Sequence, residues 1–237
     1  MTWSEVVVIL VAVLAVGVVV AWQAATRLDR LHRKVVASRI ALDAQLVRRA
    51  GAAHALATSG AIDPVSALVL TDAVIATDAA QGDRELLVAV PDLASLVDEN
   101  PSSGPGNQAE LVHGAAPPRV IGQALAEGLG EVRTHAESNL SAALRAVLAD
   151  AEEVAELRST VDGGEILTDL AAAWYRVQLA RRFHNEAVAQ AQRMRAKRGV
   201  RVLHLAGRAP MPQMVEFDDV WPAELPRPGR GVVAAGR

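Results

Sequence analysis

Cysteine is absent from the chain. With it go disulfides, thiolate nucleophiles, Cys-ligated zinc, iron–sulfur clusters and lipid attachment to an N-terminal Cys. Aromatic residues are only 3% of the sequence, too few for an all-β sandwich, whose faces draw on aromatic and β-branched side chains. Positive charge is not in excess either. The net charge is −3, so no overall field attracts nucleic acid, and no nucleic-acid partner is expected. Lysine occurs only at Lys34 and Lys197, beside abundant Arg, Ala, Val and Gly. Such usage reads as genomic codon bias, which lowers the weight of Arg48-Arg49 and Arg181-Arg182 as recognition motifs.

What is present is aliphatic. Hydrophobic residues make up 51% of the 237, mostly Ala, Val and Leu, a mixture suited to helices packed closely through small side chains. From Val6 to Ala21 no side chain is charged or polar, close to the ~20 residues that cross ~30 Å of hydrocarbon. Trp3 and Trp22 bracket this run, and a helix places them roughly 28 Å apart, near the spacing of the two interfacial belts. A cleaved signal peptide wants positive charge ahead of a shorter apolar region, whereas only Glu5 precedes this one; Ala21, Ala24 and Ala25 are the small residues such cleavage would use. A core helix of this length needs apolar partners on every face, more than the remaining chain supplies. The reading is a transmembrane anchor over residues 1–25, in contact with the lipid bilayer through 6–25. Arg27, Arg30, Arg33 and Lys34 crowd its C-terminal flank with no Lys or Arg on the other side, which places the N-terminus outside and the rest in the cytoplasm.

Beyond the anchor, Leu28, Leu31, Val35, Leu42, Leu46, Ala53 and Leu56 recur at spacings of three, four and seven, so the first helix is expected to continue to about Thr58. Ser59-Gly60 ends it. Asp63-Pro64 starts a second helix running to about Ala80. Gln81 to Asn100 suits a short helix or two, interrupted by Pro91. Residues 101–118, rich in Ser, Gly and Pro, form a long flexible loop. A third helix is expected over 119–159. Gly163-Gly164 makes the next turn, and a fourth helix follows over 165–198, its inward positions being Ile166, Leu170, Ala173, Val177, Ala180, His184, Ala187, Ala191 and Met194. The fold class is therefore all-α: an N-terminal transmembrane helix followed by a long-helix antiparallel bundle of about four helices over 26–199. The Pro/Gly/Arg-rich tail at 200–237 carries Glu216-Phe217-Asp218-Asp219 and Trp221 and is expected to be mostly disordered after 222.

Neither a catalytic nor a metal site emerges, and no cofactor is expected. The six histidines, His32, His54, His113, His135, His184 and His204, show no zinc-ligand spacing. Gly104-Pro105-Gly106 lacks the strand, Lys and third Gly of a phosphate loop. Asp150, Glu152, Glu153 and Glu156 read as a solvated face. Arg181 and Asn185, four apart beside the apolar stripe, read as an interhelical latch to Asp43 or Gln45 on the first helix.

Two segments carry a resemblance. Leu42-Asp43-Ala44-Gln45-Leu46-Val47-Arg48-Arg49-Ala50 looks like the start of LemA-type proteins, where an Asp, a Gln-Leu pair and a double Arg occur in this order. Ala180-Arg181-Arg182-Phe183-His184-Asn185-Glu186-Ala187-Val188 is similar to that family's Ala-Arg, aromatic-Asn and Val signature, and Ala136-Glu137-Ser138-Asn139-Leu140 resembles the opening of its third helix. His184 stands where the family has Tyr, Ala191-Gln192 replaces a second aromatic-Asn pair, and residues 81–118 look like an insertion. The resemblance covers roughly 5 to 58 and 135 to 219, and implies a membrane-anchored helical bundle with no established reaction. It makes Asp43, Gln45, Arg48, Arg49, Arg181, His184 and Asn185 the structural or interaction residues. The functional expectation is a scaffold or protein-interaction module at the cytoplasmic membrane, with protein partners unspecified and a homo-oligomer compatible but not indicated. The alternative is an enzyme, or a regulator of a membrane enzyme or protease, using a pocket between helices.

Overall fold

The fold, a computed structural model, describes residues 3–81, 128–203 and 210–228. Among them are six helices and no strand: α1 (Trp3–Thr58), α2 (Pro64–Ala79), α3 (Glu131–Val147), α4 (Ala151–Ser159), α5 (Val161–Arg195) and α6 (Arg198–Val202). The readings of helices over Gln81 to Asn100 and of a loop at 101–118 fall outside the described residues, apart from Gln81.

One unbroken helix, α1, carries both the apolar run and the first bundle helix, and ends at Thr58 as its periodicity predicts. Its N-terminal part is long and apolar enough to cross a membrane, with a mean hydropathy of 2.8 and no buried residue in that stretch. Burial begins at Val35. The Asp63 side chain caps α2 by accepting from the Val65 and Ser66 amides, and Pro64 at the first position leaves no amide unsatisfied.

Three boundaries differ from the sequence reading. The third helix is two helices. Gly130 sits at φ 76°, outside the right-handed region, so α3 begins only at Glu131. Asp150 accepts from the Glu152 and Glu153 amides and starts α4 as its N-cap. The break is silent in the apolar pattern because Leu144, Leu148 and Val154 are buried on both sides of it. The fourth helix likewise starts earlier, at Val161, capped by Thr160, whose hydroxyl accepts from the Gly163 amide. Gly163 therefore lies inside the first turn of α5. A Cβ there would stand 2.2 Å from the Leu157 carbonyl oxygen, so its glycine serves close helix approach rather than a turn.

Pairs along α1 and α5 step up one helix as they step down the other. Val35, Val36 and Ile40 meet Ala187, Val188 and Ala191, Leu42 and Leu46 meet Val177, and Ala53 and Leu56 join Leu167, Leu170 and Trp174 in the largest core cluster. That cluster also takes Leu70 and Val74 from α2, Leu140, Leu144 and Leu148 from α3, and Val154 and Leu157 from α4. Each fully buried aliphatic side chain of this kind contributes about 1.5–3 kcal/mol. Of the inward positions expected on α5, Ile166 and Ala180 are only half-buried, while Trp174, not among them, is fully buried.

The tail departs most from expectation. Residues 210–228 form an extended strap on the bundle, with Val215, Phe217 and Leu225 buried. Leu225 belongs to the largest core cluster, so the disorder expected after 222 does not hold at Leu225; residues 229–237, to which the same expectation applies, lie outside the described residues. Ordering offsets the strap's entropic cost because apolar anchors alternate with polar groups that find partners on the helices.

Candidate functional site

The apolar series of α1 has two gaps of seven, from Val35 to Leu42 and from Leu46 to Ala53. Arg39 and Arg49 fill them, in the spacing of four and three that defines a packed helical seam. Both are buried, as are Asp43 on α1 and Arg133 and Glu137 on α3. Asp43 accepts from Arg39 Nε at 3.1 Å and lies 3.0 Å from Arg133 Nη1. Arg133 Nε is 3.9 Å from Glu137 Oε1. Arg49 Nη2 donates to Glu137 Oε2 at 2.9 Å and to the Glu137 carbonyl at 3.2 Å, and its Nη1 donates to Ser141 Oγ at 2.9 Å. Three cations and two carboxylates thus alternate in a ladder joining α1 to α3. Charges this deep persist only when paired, and removing one partner of such a pair costs about 3–5 kcal/mol.

The Arg49 guanidinium also lies over two rings, 5.2 Å from Trp174 and 5.6 Å from Phe217. Burial pushes it below its ordinary pKa, and the Glu137 carboxylate acts against that shift. Phe217 comes from the strap, so Arg49 joins the ladder to the second assembly, the groove between α3 and α5 in which the strap lies.

That groove is lined by one polar face of α5. Arg195 donates to the Pro210 carbonyl and Gln192 to that of Pro212. Asn185 Nδ2 donates to the Val215 carbonyl at 3.0 Å while its Oδ1 accepts from the Val215 amide at 2.8 Å. Arg181 donates to Asp219 Oδ1 at 2.9 Å and stacks over Phe217. Gln178 and Trp174 both donate to the Asp219 carbonyl. On the α3 side, Ser138 Oγ accepts from the Asp218 amide and Arg145 pairs with the Asp218 carboxylate, holding that carboxyl below its usual range.

The latch expected from Arg181 and Asn185 to Asp43 or Gln45 is therefore replaced. Both residues hold the strap, and Asp43 is engaged by Arg39 and Arg133 instead. Spacing showed that Arg181 and Asn185 flank the apolar stripe, but a helix edge has two neighbours and periodicity does not choose between them. His184 is buried, with Nδ1 3.1 Å from Ser38 Oγ. Burial, and then the nearby Arg39 charge, lower its pKa to about 4. Gln45 is half-buried beside an open groove lined by Ser38, Ala41, Arg176, Leu179 and Phe183. Arg48 is exposed beside a second groove with Asp169 and Arg176, outside the ladder.

Sequence reasoning missed Arg39, Arg133, Ser141, Asp218 and Asp219 as partners. The signal available was an Arg in phase with apolar residues, as at Arg39 and Arg49. Among the described residues no three His, Asp or Glu side chains form a set able to hold a metal ion. The charged groups that come together are paired with one another inside the protein, an arrangement that fixes register and strap position.

Compared with family models, with curated proteins and with solved structures, the chain finds no match in any of the three.

Proposed function

We propose that this protein is a membrane-anchored helical scaffold of the LemA type, an antiparallel bundle of about four helices that presents a docking surface to protein partners at the cytoplasmic membrane. Its N-terminus lies outside, the bundle lies in the cytoplasm, and the protein catalyses no reaction. The observation that carries the reading is the single unbroken helix α1, which runs from an exposed apolar stretch directly into the buried face of the bundle. A partner bound to the bundle is then held at a fixed height and angle below the bilayer, as a flexible linker would not hold it. The docking surface is the open α1–α5 groove, where Leu179 and Phe183 stand exposed beside Ala41 and Gln45, with Tyr175 exposed one turn earlier on α5. Exposed aromatic and aliphatic side chains in a row mark interaction faces more often than solvated ones.

A photo-reactive phenylalanine analogue at Phe183 of the full chain, in native membranes, tests this. Irradiation is expected to give one discrete heavier adduct from that position and none from the same analogue at Glu153, on the far end of the bundle. Absence of adduct at Tyr175, Leu179 and Phe183 alike would remove the scaffold reading.

A further inference from the structure

Arg27, Arg30, Arg33 and Lys34 are all exposed on the first turns of α1 beyond the apolar run. The fold brings a second basic segment, some 160 residues away in sequence, to the same level. Lys34 Nζ donates to Gln190 Oε1 at 3.3 Å, and Leu31 and Val35 pack with Ala187, Val188 and Ala191. The last turn of α5, with Arg193 and Arg195, therefore lies one turn further on, toward Arg27. The electrostatics agree: the His32 imidazole is held below its ordinary pKa by partial desolvation, with Asp29 acting against the shift and Arg195 adding to it. Beyond α5, α6 packs on α1 with its Val200 buried, and leaves Lys197, Arg198 and Arg201 exposed. Val202 and Leu203 beside them are 75% and 54% exposed.

Residues 26–36 and 190–203 together hold nine Lys or Arg and one acidic residue, Asp29, which is paired with Arg33 at 2.7 Å. This end of the bundle thus carries +8 in a chain whose total is −3, so everything else sums to −11. The exposed acids Glu152, Glu153, Glu156 and Asp162 sit at the opposite end, on α4 and the start of α5. Helix-dipole complementation accounts for a cation or two in the last turn of α5. It does not account for three more beyond that helix, nor for two exposed aliphatic side chains among them.

We propose that this collar, residues 27–34 with 193–203, is a docking surface for the phosphate headgroups of anionic lipid in the bilayer that α1 enters. The cations meet the phosphates, and Val202 and Leu203 enter the interface beside them. The occupant follows from position and charge: Lys34 is nine residues past Ala25, about 13 Å along a helix, and screened attraction reaches about 8–10 Å from the headgroup layer. The inference rests on the reading of α1 as a membrane span, and the test separates the two.

Because the chain lacks cysteine, a single one can be labelled. The full chain carrying Leu203→Cys, or Val13→Cys as the span reporter, bears an environment-sensitive fluorophore and is reconstituted in vesicles of phosphatidylcholine, alone or with one third phosphatidylglycerol. At 203 the expected result is a blue shift and several-fold stronger quenching by headgroup spin labels in the anionic vesicles only. High salt, or Lys197→Gln, Arg198→Gln and Arg201→Gln together, abolishes the difference while helicity by circular dichroism is unchanged. At 13, acyl-chain spin labels quench in both vesicle types. Quenching at 13 with water-like emission at 203 in both lipids overturns the docking alone; no quenching at 13 overturns the span and the docking with it. An equal shift at 203 with inorganic phosphate in neutral detergent shows a generic anion site and overturns the lipid assignment.

Discussion

Arg49 illustrates what a single side chain can organise. A fully buried cation at a seam position would be ruinous alone, yet its donors reach Glu137 and Ser141 on α3 while its flat face lies over Trp174 of α5 and Phe217 of the strap. Lysine, a compact charge without a planar face, has no equivalent for that combination. His184 makes the complementary point about protonation. Its pKa is depressed to about 4 in the folded protein against 6.5 as a free side chain, so between those values the unfolded chain binds more protons than the folded one. Stability from this group is complete above pH 6.5, falls as pH drops through the window, and is lost below about 4, a change of roughly 3 kcal/mol. His32, also depressed, adds with the same sign. Thermal unfolding of the full chain in detergent should show a midpoint that declines from pH 6.5 to 4, and His184→Gln should flatten most of that decline. An unchanged slope in the variant would show that His184 is not its source.

At the scale of elements, the strap and α5 form a zipper. Its rungs at Trp174, Gln178, Arg181, Asn185, Gln192 and Arg195 descend one face of α5 as the strap climbs from Pro210 to Asp219. Asn185 matters most among them because it satisfies both the amide and the carbonyl of Val215, a pairing that no other side chain of its size reproduces. Asn185→Ala is expected to destabilise the domain by about 1–3 kcal/mol and to open the strap to proteolysis between Pro210 and Asp219 before the helices are cut. In a double-mutant cycle, Arg181 should couple to Asp219 by at least ~0.5 kcal/mol and to Asp43 by less. A reversed order would place Arg181 on α1 after all.

For the whole molecule, the proposed topology rests on charge polarity and the apolar run together. With the basic flank only on the C-terminal side of the run, a reporter active in the cytoplasm, fused after Arg237, should give signal while an export-dependent reporter there stays silent; neutralising Arg27, Arg30, Arg33 and Lys34 should mix the two. The opposite pattern with the native chain would reverse the assignment. All-helical character, the apolar helix and its extent to Thr58, and the Asp63 cap were legible in the sequence, because each depends on contacts within a few residues along one helix: a repeat of three and four, an uninterrupted apolar length, a cap beside its amides. Periodicity placed His184 inward and Arg181 and Asn185 at the edge of the apolar stripe, whereas Arg49 was singled out only by the resemblance, and Asp43 by the resemblance and as an expected end of the latch. Their partners were not legible. Whether Asn185 faces α1 or a strap thirty residues downstream, whether Arg39 and Arg133 share Asp43, and whether the basic end of α5 stands beside the basic flank of α1 are decided by which surfaces meet in three dimensions. Side-chain periodicity fixes the direction a residue faces but leaves open what arrives from elsewhere in the chain to meet it.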